Sequence, residues 1–170
     1  MMTTLPTQIL TPLQLDQKIR RIAFEIYENN FEETEIVLAG IAGEGYVLAE
    51  RLAHELSQIA PHQVLRLKID LDKSQRQQPP IHVDAGPEAY TNKAIVVIDD
   101  VLNTGRTLAY SLQPFLNVPV RKLQVAVIVA RNHQLFPVSA DYVGYALSTT
   151  LTEHVEVVLS DESRLGVYLK

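Results

Sequence analysis

The sequence predicts an α/β fold: a mostly parallel, twisted sheet flanked by helices. Three observations carry that expectation. Short apolar runs at Ile36-Val37-Leu38-Ala39, Ala94-Ile95-Val96-Val97-Ile98 and Leu123-Gln124-Val125-Ala126-Val127-Ile128-Val129-Ala130 read as strands, the last two buried on both faces. Helical patterns stand between them, so strand and helix alternate along the chain. The first two runs end in short polar turns containing glycine, each opening a helix.

In chain order, Thr11-Pro12-Leu13-Gln14 is a capping box with proline at the first helical position. Leu15, Ile19, Ile22 and Ile26 then recur at helical spacing and give the following helix one apolar face. Lys18, Arg20 and Arg21 lie mostly elsewhere and fit a solvated helix face better than a nucleic-acid contact. After the strand at 36–39, Gly40-Ile41-Ala42-Gly43-Glu44-Gly45 forms a glycine-rich turn into a helix whose apolar face is Leu48, Leu52, Leu56 and Ile59. Residues 64–70 alternate apolar and polar as a second strand. Residues 71–92 hold a polar cluster, three prolines and a glycine without helical period, which predicts a long loop outside the core. The alternation of Val155-Glu156-Val157 and the ending Gly166-Val167-Tyr168-Leu169 suggest short terminal strands that cap a site or form an interface.

The chain is organised around residues 94–107. Asp99 and Asp100 close an apolar strand at its C-terminal end, where open parallel sheets place their ligands. Asn103, Thr104, Gly105, Arg106 and Thr107 then form a polar turn that opens a helix carrying Leu108, Leu112 and Phe115. Backbone N–H groups at a helix start, a glycine and two hydroxyls suit a phosphate. The paired carboxylates suit sugar hydroxyls and the water shell of a divalent cation. Together they describe a seat for ribose 5-phosphate. A phosphoacceptor receiver domain is disfavoured because its acidic pair follows the first strand, and no Gly-x-x-x-x-Gly-Lys-Ser/Thr string occurs for a nucleoside triphosphatase loop.

Composition narrows the classes further. The 170 residues, 46% hydrophobic and 21% charged, fit a single domain over 1–170 with an ample core. Without cysteine there are no disulfides, thiolate nucleophiles or zinc-thiolate sites, as suits a reducing cytosol. The five histidines lack metal-ligand spacing. No apolar run approaches the ~20 residues of a membrane span and the start lacks a leader pattern, so the expectation is a cytoplasmic protein. A net charge of -5 disfavours a large nucleic-acid footprint without excluding one.

The string Asp99-Asp100-Val101-Leu102-Asn103-Thr104-Gly105-Arg106-Thr107 resembles the phosphoribosyl pyrophosphate (PRPP) motif of type I phosphoribosyltransferases. Ala140-Asp141-Tyr142-Val143-Gly144 extends the similarity to the pyrimidine operon regulator/uracil phosphoribosyltransferase group, over most of residues 9–160. The resemblance implies a type I phosphoribosyltransferase fold with a small hood, and a glycosyltransferase moving ribose 5-phosphate from PRPP to a nucleobase, uracil favoured, in nucleotide salvage and pyrimidine metabolism. Its alternative is a PRPP-binding regulator of the RNA-binding attenuator type with weak or no catalysis. The resemblance assigns catalysis and water-mediated Mg2+ binding to Asp99 and Asp100, the 5-phosphate to Asn103, Thr104, Gly105, Arg106 and Thr107, and pyrophosphate to Ala42, Gly43, Glu44 and Gly45. It makes Arg131 and His133 candidates for the base, places Lys73 and Arg76 on a mobile loop, and implies a homodimer. Two departures stand out: Glu44 replaces a basic residue, and Asp70-Leu71-Asp72-Lys73 only loosely matches an expected Arg-Asp-Asp string. Gln134, Ser139 and Tyr145 stand where an RNA-binding regulator is expected to be basic.

Overall fold

The computed structural model describes residues 5–74 and 80–170. The chain begins with a short strand, β1 (Thr7–Leu10), and then α1 (Pro12–Asn29). The capping box forms as the sequence predicts: the Gln14 N–H donates to Thr11 Oγ1 at 3.2 Å and the Thr11 N–H to Gln14 Oε1 at 2.9 Å, a cap worth about 1 kcal/mol. Leu15, Ile19, Ile22 and Ile26 are buried, so the predicted face is the packed one. Arg21 is exposed, yet its guanidinium is held in place. It pairs with Glu25 and donates to the carbonyls of Val143 at 3.0 Å and Gly144 at 2.7 Å.

Then come β2 (Glu35–Ile41), α2 (Glu44–Ile59), β3 (Gln63–Asp70), β4 (His82–Val83), β5 (Ala94–Leu102), α3 (Arg106–Ser111), α4 (Gln113–Leu116), β6 (Lys122–Arg131) and β7 (Tyr142–Leu147). The sheet runs β4-β3-β2-β5-β6-β7 and is parallel except where β4 pairs with β3. Alternation along each strand splits the core into two layers. Ile36, Leu38, Val96, Ile98 and Ile128 face α1 and α2, whereas Val37, Ala39, Ile95, Val97 and Val127 face Leu108, Phe115 and Tyr90. The chain therefore crosses to one face after β2 and to the other after β5, and the crevice between those strands is where such sheets bind ligands. Register sets Gly40 beside Ile98, so the turns that follow emerge side by side.

A second, antiparallel sheet lies outside the first: β1, β9 (Gly166–Leu169) and β8 (Val155–Val158), in the order β1-β9-β8. This is the hood. Its terminal strands match the sequence expectation for β8 and β9, while β1, exposed in its first half and buried at Leu10, is too short to carry a periodic signal of its own.

Two expectations need correction. Residues 71–92 are not all outside the core. Ile69 pairs with Val83 and Asp70 with His82, Asp84 Oδ1 accepts the Lys68 N–H at 2.8 Å, and buried Tyr90 meets Phe115 edge-on with ring centroids 4.9 Å apart. These partners are distant in sequence, which is why local pattern missed them. The helix expected after residue 107 is also broken at Leu112. Pro114 has no N–H, and its ring opposes continuation past the carbonyl four residues earlier.

Candidate functional site

The site opens at the C-terminal ends of β2 and β5 as a cleft of about 460 Å³. Asp99 is 2% exposed and Asp100 is half-buried. Each carboxylate folds back on the next backbone N–H: Asp99 Oδ1 accepts from Asp100 N and Asp100 Oδ1 from Val101 N, both at 2.9 Å. Burial pushes the Asp99 carboxyl up to about 8, and the neighbouring Asp100 charge adds to that, against the opposing pull of Lys73. Lys73 Nζ lies 3.3 Å from Asp99 Oδ1, which brings the loop after β3 onto the acidic pair.

The turn at 103–107 lines the cleft beside that pair. Gly105 takes φ +86°, a left-handed conformation that side chains rarely adopt. Thr104 Oγ1 accepts the Arg106 N–H at 3.3 Å, and the Thr104 carbonyl accepts the N–H groups of Leu135 at 2.8 Å and Phe136 at 3.0 Å, anchoring the turn to the loop after β6. The Arg106 guanidinium lies 5.0 Å from the Tyr110 ring centroid. With α3 only six residues long, the donors here are the turn's own N–H groups and hydroxyls more than a helix dipole.

The glycine-rich turn after β2 sits directly against Asp99. A Cβ placed on Gly45 would stand 3.0 Å from both Asp99 Oδ1 and the Ile98 carbonyl, so a side chain here would press the acidic pair outward. The Ala42 N–H is committed to the Ile69 carbonyl at 2.8 Å. Gly43 is the N-cap of α2, whose first-turn N–H groups point out of the helix as in any helix start. Glu44 lines the cleft, yet its carboxylate is turned toward the hood, where the Leu159 and Ser160 N–H groups donate to it at 2.7 and 3.2 Å.

Arg131 and His133 are not among the residues lining this cleft. Arg131 is 9% exposed and donates to Asn103 Oδ1 at 2.9 Å, to Thr149 Oγ1 at 2.9 and 2.7 Å, and to the carbonyls of Thr150 at 3.2 Å and Glu153 at 2.7 Å. Because Thr149 Oγ1 accepts twice from Arg131, its own proton can go to His133 Nε2, 3.2 Å away. Arg131 thus joins the turn at 103–107 to the loop that leads into β8, and His133 adds a bond to that loop. Arg76 lies outside the described residues.

Sequence reasoning named no chemistry in the hood, yet the opposite side of the cleft is hood: His154, β8, Ser160, Asp161 and Arg164. Glu156 is held by Lys170 and, at 3.4 Å, by Arg164. The Lys170 hydrogen bond keeps its carboxyl below the usual carboxylate range. The alternation in Val155-Glu156-Val157 was the available signal, since it sets Glu156 apart from the two buried valines.

Among the described residues no cluster of three or more metal-ligating side chains forms, and no helix is long and apolar enough to cross a membrane. Two adjacent carboxylates fit Mg2+, which keeps several waters and takes one or two carboxylates while a substrate supplies further oxygens.

The phosphoribosyl transferase domain family matches residues 7–162. Bifunctional protein PyrR of Enterococcus faecalis is 32% identical over 165 residues, covering 94% of this chain and 92% of the relative. That of Bacillus pumilus is 33% identical, with 90% of each covered. Among solved structures, a hypoxanthine-guanine phosphoribosyltransferase from Bacillus anthracis superposes with a TM-score of 0.75 at 18% identity, covering 95% of each chain. The hypoxanthine phosphoribosyltransferase of Trypanosoma cruzi gives 0.79 at 15% identity, covering 96% of this chain and 95% of its own. Sequence match over nearly the whole length and a shared fold agree with the motif at 99–107: the chain belongs to the type I phosphoribosyltransferase family, in its PyrR-like group.

Proposed function

We propose that this protein transfers ribose 5-phosphate from PRPP to a nucleobase, with uracil favoured through the similarity to PyrR proteins. The observation that carries the reading is the convergence of an acidic pair, a hydroxyl-rich turn and a glycine-rich turn at the ends of two adjacent parallel strands. In the reaction the bond from C1 to the pyrophosphate oxygen breaks and a bond from C1 to a base nitrogen forms. Asp99 and Asp100 hold the ribose hydroxyls, and the Asp100 carboxylate, joined by Asp99 once its proton is lost, faces the positive charge that develops on the ring. Residues 103–107 take the 5-phosphate, and the N–H groups at 43–45 take the pyrophosphate. Asp99 and Asp100 would hold Mg2+ through water, and the ion would supply charge neutralisation of the leaving group. Lys73, 3.3 Å from Asp99, is within reach of the same leaving group after a change of rotamer.

This reading treats residues 1–170 as one working domain, a cytoplasmic homodimer whose partners are PRPP and a nucleobase. Arg131 and His133 enter it as residues that hold the wall rather than touch the base. The alternative, a PRPP-binding regulator with weak catalysis, drew on the charge of Glu44. That charge is engaged by the hood, which weakens the case for lost catalysis. Arg21, a candidate for RNA contact, is occupied by Glu25 and two backbone carbonyls.

The test is pyrophosphate release with PRPP and Mg2+ over uracil, orotate, hypoxanthine, guanine, xanthine and adenine, alongside calorimetric PRPP binding. Base-dependent turnover establishes the transferase and names its substrate. PRPP binding without turnover on any base supports the regulator, and no PRPP binding removes both.

A further inference from the structure

The glycine-rich turn carries an acid at the point where, on the proposed function, a pyrophosphate with several negative charges must sit. A carboxylate aimed there would repel it. Instead Glu44 Oε2 accepts the N–H groups of Leu159 at 2.7 Å and Ser160 at 3.2 Å, and Oε1 accepts the Ser160 hydroxyl. Seven residues on, and so on the same side of α2, Arg51 donates to the Leu159 carbonyl at 2.9 Å and to Glu162 Oε1 at 3.2 Å. Leu159 itself is 1% exposed. Both backbone polar groups of a buried hood residue are therefore satisfied by side chains of the helix that starts at the pyrophosphate turn.

We infer that Glu44 is a positioning residue that latches the hood turn at 159–162 to the glycine-rich turn and so fixes the width of the cleft. The inference rests on the proposed function for what the cleft holds, but the latch itself is a property of the fold. Hydrogen bonds to an ionised acceptor are about twice as strong as neutral ones. Removing the acceptor leaves the Leu159 N–H buried without a partner, a state that native structures avoid. The turn must then shift to find water. The carboxylate also sits in the first turn of α2, where the helix end favours negative charge. Its charge is thus met by the helix start and three donors, and the neighbouring N–H groups stay available for an anion. The hood is held at its other end by Arg131, through Thr149, Thr150 and Glu153. β8 therefore spans the cleft between two charged anchors, one beside each phosphate-binding turn.

Two substitutions test this in the full-length protein. Glu44→Ala removes the acceptor together with its charge, whereas a glutamine would keep one oxygen able to accept both N–H groups. Ser160→Ala, on an exposed residue, removes one bond. The readouts are amide hydrogen exchange at 159–160, PRPP affinity by calorimetry with Mg2+, and KM for both substrates. The latch predicts exchange at 159–160 faster by about tenfold or more in Glu44→Ala, with PRPP affinity and the nucleobase KM both worse by about tenfold. Ser160→Ala shows the same pattern more weakly, and the double variant is no worse than Glu44→Ala alone. Tighter PRPP binding in Glu44→Ala, the outcome of simple charge repulsion, overturns the proposal, as does unchanged exchange at 159–160. If the wild-type protein binds no PRPP, the proposed function fails, and the exchange measurement by itself decides the latch.

Discussion

Of the cleft's two walls, one is written in a single stretch of chain and the other is put in place from far away. Residues 99–107 follow one another from β5 through the turn into α3, and each polar group sits within a few residues of its neighbour. The hood wall at 154–164 owes its position to Arg131, Glu44 and Arg51, between 18 and 116 residues distant for the bonds they make. On the proposed function the contrast follows from the task of each wall. A sugar phosphate demands particular donors and acceptors at fixed short spacing, and a strand end followed by a tight turn supplies that spacing locally. A cover needs only to be at the right distance, which any residues can provide once something else holds them.

Substitutions separate the walls if this is right: changes in the first should damage ligand binding and spare the fold, while changes in the anchors of the second should damage both. The largest effect is expected from Arg131→Ala, which strands Asn103, Thr149 and two carbonyls at once. A stability loss of about 3 kcal/mol or more is expected in urea denaturation, with turnover falling alongside it. Wild-type stability with lost base binding would instead return Arg131 to a direct role in the site. Next comes Asp100→Asn, expected to weaken Mg2+-dependent PRPP binding by roughly 100-fold while its melting temperature stays near wild type. Unchanged PRPP affinity would remove the ribose seat. Gly45→Ala follows, since its methyl group meets Asp99 Oδ1 and the Ile98 carbonyl at 3.0 Å. It should cost about 1–3 kcal/mol of stability and displace the acidic pair, a mixed outcome readable by comparing denaturation with calorimetry.

The last expectation is a pH slope. The Asp99 carboxyl is pushed up to about 8 by burial and by Asp100, whereas an unfolded aspartate titrates near ~3.9. Between those values the folded protein holds a proton that the unfolded chain has released. Stability of the ligand-free protein therefore falls as pH rises through this window and levels off above it. Asp99→Asn should flatten that slope in melting temperatures taken from pH 5 to 9. A wild-type profile already flat there would mean that Lys73 keeps the carboxylate ionised.

Much of the parallel sheet was legible because β2, β5 and β6 each carry a nearly continuous apolar run, and a strand buried on both faces must do so whatever its neighbours are. Val96 and Ile98 turn to one layer and Ile95 and Val97 to the other, but either assignment reads the same in sequence. α1 was legible down to its cap, since the Thr11–Gln14 bonds lie within one turn of chain. β4 and β1 were not, because two or four residues become a strand only when a partner such as Ile69 or Leu169 lies beside them. Arg131 was visible as a notable cation, but its partners at 149–153 are brought up only by the return of β7.

The sequence by itself determined the parallel α/β core, the acidic pair, the hydroxyl-rich turn after it and the resemblance that family comparison bears out, because each depends on residues adjacent in the chain. Tertiary structure decided where Glu44 points, what Arg131 holds and which residues close the cleft. Those depend on which distant backbone groups a charged side chain meets once the two sheets have packed, and no local pattern records that distance.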